Sequence, residues 1–96
     1  TAGIPASITV PAYDADGAYT MKWGASATAG VTYELQEATN SLFTSGLRTA
    51  YRGTATSVNI TGRSQNVTYY YRVRAVKPGC RDSAYRTAAN GCRVGS

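Results

Sequence analysis

Several short stretches of this chain alternate apolar with polar residues. A period of two is typical of a β-strand that has one face on a core and the other in water. The alternating apolar positions are Ile8, Val10, Tyr19, Met21, Trp23, Val31, Tyr33, Leu35, Val58, Ile60, Tyr69, Tyr71, Val73 and Ala75. We expect these side chains to meet between two stacked sheets.

Turn-forming residues separate these stretches at short intervals. They cluster at 14–17, 24–30, 39–41, 45–46, 52–54, 61–66, 77–79 and 90–91, where Gly, Asp, Asn, Ser and Thr are frequent. Short strands with frequent turns and no long helical period predict an all-β domain, either a sandwich or a barrel.

One segment also fits a helix. Val31, Leu35 and Ala38 follow a period of about 3.6 residues. We favour a strand over 31–39, because Val, Thr and Tyr lose side-chain freedom in a helix. The alternating template also matches more positions of this segment.

The most specific signal is the run from Tyr69 to Ala75. It reads Tyr-Tyr-Tyr-Arg-Val-Arg-Ala and resembles the sixth-strand signature of fibronectin type III domains, Tyr-x-Phe/Tyr-Arg-Val-x-Ala. Trp23 resembles the tryptophan of that family's second strand, and the match follows the family's order along nearly the whole chain. The resemblance implies a seven-stranded, antiparallel, two-sheet sandwich of immunoglobulin-like type, with residues 1–96 as a single domain.

The resemblance also implies structural roles for four residues. Trp23, Tyr71 and Val73 would lie in the core. Tyr69 would be the tyrosine corner, whose hydroxyl ties its strand to the preceding loop.

At one position the chain departs from the family pattern. Arg63 follows Gly62, whereas the family usually has Leu there. An arginine cannot be buried without a partner. We therefore expect Ile60 or Val67 to fill that space.

Composition and charge narrow the choice of partners. The 96 residues suffice for one hydrophobic core. Ten Lys and Arg against five Asp and Glu give a net charge of +5, but the basic residues are scattered, so we expect no nucleic-acid partner.

No apolar run of about eighteen residues exists, so we expect no membrane insertion. The start at Thr1 shows no signal-peptide pattern, which predicts a mature segment or a fragment.

The candidate catalytic groups do not form a site. Histidine is absent, so a Ser or Cys nucleophile would lack its usual base. Glu34 and Glu37 lie three positions apart on a predicted strand and would face opposite sides, which is unsuitable for a paired acid and base. We expect neither enzymatic activity nor a cofactor.

The segment from Asp14 to Gly17 has two interpretations. Its alternating carboxylates before a glycine are similar to the start of a calcium-binding loop. The following residues offer only backbone oxygens, and no glutamate closes the loop. We favour a turn between the first two strands, in which Asp supplies local hydrogen bonds and Gly a positive φ, and we expect no metal site.

Tyr70, Arg72, Arg74 and Glu34 form the candidate binding surface. The first three alternate along the outer face of one strand, and Glu34 belongs to the strand expected beside it. These side chains could bind a protein or a glycan. We favour the alternative, that they pair across the strands and only stabilise the sheet.

The two cysteines are Cys80 and Cys92. A bridge between them would add on the order of 3 kcal/mol to a small secreted domain. It would require a short last strand that folds back, with Asn90-Gly91 as the site of the turn. The alternative is two free or intermolecular thiols.

The function that these features favour is a non-catalytic extracellular module, secreted or on a cell surface. It would act as a spacer, presentation or adhesion unit, and the wealth of Thr, Ala and Tyr resembles modules of secreted bacterial multidomain proteins. The alternative is a carbohydrate-binding accessory module beside a glycan-degrading enzyme. Its partners would be neighbouring domains of the same chain, another protein or a polysaccharide, and the isolated domain would be monomeric.

Overall fold

The alternating stretches form strands in the structure, a computed structural model that describes residues 2–88 and 90–95. The strands within these ranges are β1 (Ile8–Thr9), β2 (Tyr13–Asp14), β3 (Tyr19–Trp23), β4 (Thr32–Ala38), β5 (Arg48–Gly53), β6 (Ser57–Ile60), β7 (Val67–Val76), β8 (Arg86–Thr87) and β9 (Cys92–Val94). The segment that also fitted a helix is β4, so the strand prediction is confirmed. No helix of the described residues is long and apolar enough to cross a membrane.

The strands form the two sheets of the predicted sandwich. One sheet has the order β1-β3-β6, and the other has the order β2-β9-β7-β4-β5 with β8 also paired to β7. The all-β, immunoglobulin-like fold is confirmed, and the seven expected strands become nine because the first and the last are each divided in two.

The division of the first strand moves the chain from one sheet to the other. Pro11 lies in the break between β1 and β2, and proline has no N–H to continue a ladder. After the break, β2 runs parallel to β9. The prediction was of an antiparallel sandwich. The structure differs from it at this one pair of strands, which is parallel.

The core lies between the two sheets. Met21 and Leu35 are completely buried. The ring of Trp23 lies 6.1 Å from the ring of Tyr33 and 5.7 Å from that of Tyr51, between centroids. Burying one such large apolar side chain contributes about 1.5–3 kcal/mol. The other buried members of the core cluster are Ala2, Val10, Tyr19, Val31, Ile60, Tyr69, Tyr71, Val73, Ala75, Cys92 and Val94.

The chain enters and leaves the sandwich at opposite ends. The N–H of Ala2 donates to the Arg81 carbonyl, in the loop after β7, at 2.8 Å. The N–H of Asn66, in the loop before β7, donates to the Val94 carbonyl at 2.7 Å. β7 spans ten residues, which is roughly 30 Å. Since the molecule measures 44 × 23 × 19 Å, its long axis runs along this strand.

The cysteines lie near opposite ends of β7, and both are free. Cys92 is buried opposite Tyr69 near the start of β7, and Cys80 is exposed in the turn beyond Val76 at its end. The distance along the strand from Tyr69 to Val76 is roughly 23 Å, whereas a disulfide needs Cα atoms within about 7 Å. This fold therefore excludes the predicted Cys80–Cys92 bridge.

The last strand does not fold back at Asn90-Gly91. β8 and β9 both run antiparallel to β7, so the chain keeps its direction across the break. Gly91 lies directly against β7, and a Cβ atom there would come within 2.9 Å of the Tyr69 carbonyl oxygen. Glycine at this position permits close approach of the two backbones rather than a reversal.

Candidate interaction surface and buried polar network

The outer face of the six-stranded sheet carries four paired polar side chains, here named the arginine ladder: Arg72, Arg74, Glu34 and Gln36. The register of β4 and β7 places Arg74 opposite Glu34 and Arg72 opposite Gln36. Nε of Arg74 donates to Oε1 of Glu34 at 3.0 Å, and Nε of Arg72 donates to Oε1 of Gln36 at 2.8 Å. Alternate strand positions share a face, so the sequence pattern brings these residues together.

Two aromatic rings enclose the arginine ladder. The guanidinium carbon of Arg72 lies 4.5 Å from the ring centroid of Phe43 and 4.1 Å from that of Tyr85. The guanidinium carbon of Arg74 lies 5.1 Å from the Tyr85 centroid. Each such cation–π contact contributes about 0.5–2 kcal/mol. The Tyr85 hydroxyl donates to Glu34 at 3.3 Å, so the ring is also fixed in position.

Of the candidate binding surface, Arg72, Arg74 and Glu34 are thus engaged with cross-strand partners and with these rings. Tyr70, Arg72 and Arg74 are half-buried, and Glu34 is buried. Burial raises the pKa of Tyr85, against the opposing effect of the Arg74 guanidinium. This arrangement favours the interpretation in which the side chains stabilise the sheet by cross-strand pairing.

Sequence reasoning missed Phe43. It lies in the loop between β4 and β5, outside any alternating stretch, yet it is 6% exposed because the loop folds back over the outer face of β7. The only sequence signal is that a lone Phe stands in an otherwise polar turn with one Leu beside it.

A second group of side chains, the buried polar network, lies inside the sandwich: Tyr19, Tyr71, Glu37 and Arg63, with the exposed Arg48 at its edge. The Tyr71 hydroxyl and Nε of Arg63 both donate to Oε2 of Glu37 at 2.5 Å. The Tyr19 hydroxyl lies 2.5 Å from that of Tyr71, and Tyr19 is the donor because Tyr71 gives its only proton to Glu37. Nε of Arg48 lies 3.1 Å from the other carboxylate oxygen.

Arg63 occupies the space that the sequence assigned to other residues. Its side chain is 10% exposed and is paired with Glu37, and it donates to the Thr61 carbonyl at 2.8 Å. The expectation that Ile60 or Val67 fills this space in place of the arginine leaves out that Arg63 has a partner on β4; Ile60 is buried in the core as well. Burial lowers the pKa of Arg63, but the hydrogen bond and charge of Glu37 outweigh it and raise the pKa overall.

The tyrosines of the buried polar network have strongly raised pKa values, which favours their neutral forms. Burial raises the pKa of Tyr71, and its hydrogen bond to Glu37 raises it further. Burial also raises the pKa of Tyr19 and that of the neighbouring Cys92 thiol. Both hydroxyls therefore stay protonated, with Tyr71 as the donor to Glu37 and Tyr19 as the donor to Tyr71.

Tyr69 contacts the loop that precedes its strand. Its hydroxyl accepts a hydrogen bond from the N–H of Ser64 at 3.0 Å. The guanidinium carbon of Arg63 lies 5.7 Å from the centre of the Tyr69 ring. These contacts fix the loop before β7 and hold Arg63 against the core.

Asp14 forms the predicted turn. Its Oδ2 accepts hydrogen bonds from the N–H groups of Asp16, Gly17 and Ala18 at 3.0, 2.7 and 3.1 Å, and Gly17 has a φ of 77°. This confirms the favoured interpretation of the segment, because the carboxylate caps the turn. Among residues 2–88 and 90–95, no three His, Cys, Asp or Glu side chains lie close enough together to hold a metal ion.

Comparison with known proteins identifies the fold. No family model matches the chain, and no curated protein matches it. Among solved structures, the crystal structure of FN3tt, a fibronectin type III domain design, matches with a TM-score of 0.74 and 19% identity. The match covers 96% of this chain and 95% of that one. The chain therefore has the fibronectin type III fold, an immunoglobulin-like β-sandwich.

Proposed function

We propose that this chain is a non-catalytic module that spaces and presents other parts of a larger extracellular protein. The fibronectin type III fold supports a binding or spacer module in general. The extracellular setting rests on the resemblance of the sequence to modules of secreted bacterial proteins.

The positions of the two ends carry this proposal. Ala2 is hydrogen-bonded at the end of the sandwich where β7 finishes, and Val94 at the end where β7 starts. A segment before the domain and a segment after it would therefore emerge at opposite ends of a 44 Å long body. Such a unit holds its neighbours apart by about its own length.

Side-chain pairs between strands also support a rigid shape for the module. The arginine ladder and the buried polar network tie β4 to β7, the central strands of the six-stranded sheet. Strands that are joined by side-chain pairs as well as by the backbone ladder resist separation better than strands joined by the backbone ladder alone. A spacer needs this rigidity.

The glycan-binding alternative is less well supported. A sugar ring stacks on a free aromatic face, yet the faces of Phe43 and Tyr85 are occupied by Arg72 and Arg74. Tyr13, which is 52% exposed, is a single ring, whereas a polysaccharide site needs several in one plane.

The test is small-angle X-ray scattering of two copies of the chain joined in tandem by a short rigid linker. The spacer proposal predicts a maximum dimension close to twice the 44 Å long axis of one copy. A tandem that folds side by side, with little more length than one copy, would contradict it. In parallel, retention of the single chain on insoluble cellulose or chitin would favour the glycan alternative.

A further inference from the structure

The loop between β4 and β5 presents two large apolar side chains to solvent. Leu42 is 77% exposed and Leu47 is 45% exposed. The other exposed large apolar residues of the described ranges, Ile4 and Tyr13, lie outside this loop. Single exposed leucines are ordinary, but two in one ordered loop suggest a contact site.

Hydrogen bonds within the loop hold it in one shape. Oδ1 of Asn40 accepts from the N–H groups of Thr44 and Ser45 at 3.0 and 3.1 Å, and Nδ2 of Asn40 donates to Oγ1 of Thr44 at 2.8 Å. The N–H of Thr39 donates to the Ser45 carbonyl at 2.9 Å. The loop is therefore already ordered, and a partner would not have to order it.

The backbone of Phe43 directs its own side chain and that of Leu42 to different places. Phe43 has a φ of 57°, a left-handed conformation that is unfavourable for a bulky residue. With this φ, Phe43 packs on Arg72 while Leu42 stays outside. The loop thus accepts strain in a geometry that leaves Leu42 exposed.

An excess of positive charge lies beside this loop on β5. Arg48 and Arg52 have side chains that are 56% and 63% exposed. Their carboxylate partners are already shared, because Glu37 also pairs with Arg63 and Glu34 also pairs with Arg74. Both arginines therefore keep the capacity to bind further carboxylates.

β5 also has an open edge. It is the last strand in the order of the six-stranded sheet, and among the described strands it pairs only with β4. The outward N–H and C=O groups of an edge strand are ready to pair with an added strand.

From these observations we propose that β5 and its preceding loop bind an extended acidic segment of another protein. The segment adds as a strand along β5, its carboxylates reach Arg52 on the outer face and Arg48 on the opposite face of the sheet, and its apolar side chains pack on Leu42 and Leu47. This inference rests on the presenting role proposed above and names the chemistry of what is bound.

The test uses ten-residue peptides and the whole chain. The probe repeats two Glu and one Val, which puts carboxylates on both faces of an added strand, and the comparison peptide has Lys in place of every Glu. Backbone amide NMR shifts on titration should change along 42–53 with the Glu peptide and not with the Lys peptide. Equal binding of both peptides, or shifts that cluster on β6 or β9 instead, would overturn the proposal.

Matched variants distinguish binding at this surface from a nonspecific effect of net charge. Arg48→Gln with Arg52→Gln should weaken binding of the Glu peptide about tenfold or more, as expected for the loss of two charge-assisted contacts. Arg81→Gln with Arg93→Gln changes net charge equally, at exposed sites outside β5 and its loop, and should have little effect. An equal effect of both pairs would contradict the proposal.

A second pair of variants tests the proposed apolar contacts of the loop. Leu42→Ser should weaken binding of the Glu peptide, whereas Ile4→Ser, at the opposite end of the sandwich, should not. Unfolding curves of each variant check that the fold is kept. Failure of these peptide tests leaves the tandem scattering result unchanged, so the docking surface and the spacer role fail separately.

Discussion

Nε of Arg63 lies 2.5 Å from a carboxylate oxygen of Glu37, and both side chains are at least nine-tenths buried. The pair joins the loop before β7 to β4, at the position where the sequence departs from the leucine of the fibronectin type III pattern that it resembles. Two charges at this depth are stable only because each is hydrogen-bonded to the other and to further groups. This relationship makes the buried polar network sensitive to the loss of either partner.

Glu37→Gln should destabilise the chain by about 3–5 kcal/mol, because it leaves the Arg63 charge buried without its partner. Arg63→Leu should cost less, since Glu37 keeps Arg48 and Tyr71 and leucine suits an apolar site. Urea unfolding measures both, with Asp16→Asn as an exposed control. A cost for Glu37→Gln no larger than that of the control would contradict the prediction.

Stability should fall at alkaline pH through Tyr71 and Tyr19. Both have a pKa raised by burial in the folded chain, whereas in the unfolded chain they ionise near pH 10. Their contribution is thus complete below about pH 10 and is lost as pH rises toward the folded pKa. Unfolding free energies measured between about pH 8 and 12 should show this decline.

Tyr71→Phe provides the control for the alkaline effect. This variant is less stable at neutral pH, because a buried donor to Glu37 is lost. Its stability should depend less steeply on pH above 10 than that of the original chain. Identical slopes for the two proteins would show that other groups cause the decline.

Thiol reactivity should differ sharply between the two cysteines. Cys80 is exposed, whereas Cys92 is buried and burial raises its pKa. A thiol reagent that releases a coloured product should therefore modify one thiol per native chain and two after denaturation. Cys80→Ser should remove the fast reaction, and Cys92→Ser should leave it. Failure of the unreduced, denatured chain to react would point instead to a bridge.

Phe43 and Arg72 should be energetically coupled. A double-mutant cycle with Phe43→Ala and Arg72→Met should give a coupling of about 0.5–2 kcal/mol, the range of a shielded cation–π contact. The same cycle with Phe43→Ala and Arg52→Met should give almost none. Similar coupling in both cycles would argue against a specific stack.

The two-sheet fold was predictable because its causes are local and periodic. The alternation around Trp23 and Val73 determines which side chains face the core, and burial follows that pattern in β3 and β7, whereas in β4 Glu34 and Glu37 are buried as well. The turn at Asp14 was predictable for the same reason, since a carboxylate followed by glycine satisfies its own backbone.

The candidate surface was predictable only in part. The pairing of Arg74 with Glu34 follows from strand order and register, both of which the resemblance implied. Phe43 was not predictable, because a loop residue at positive φ has no periodic signal and its contact with Arg72 depends on how the loop folds over the sheet.

By itself, the sequence determined the alternating strands and the sandwich that they form, because hydrophobic burial acts on every second residue of such strands; β5 was not predicted, since its burial does not alternate. Only the tertiary structure decided the partner of Arg63 and the separation of Cys80 from Cys92. Both depend on distances between segments far apart in the chain, and no local pattern records those distances.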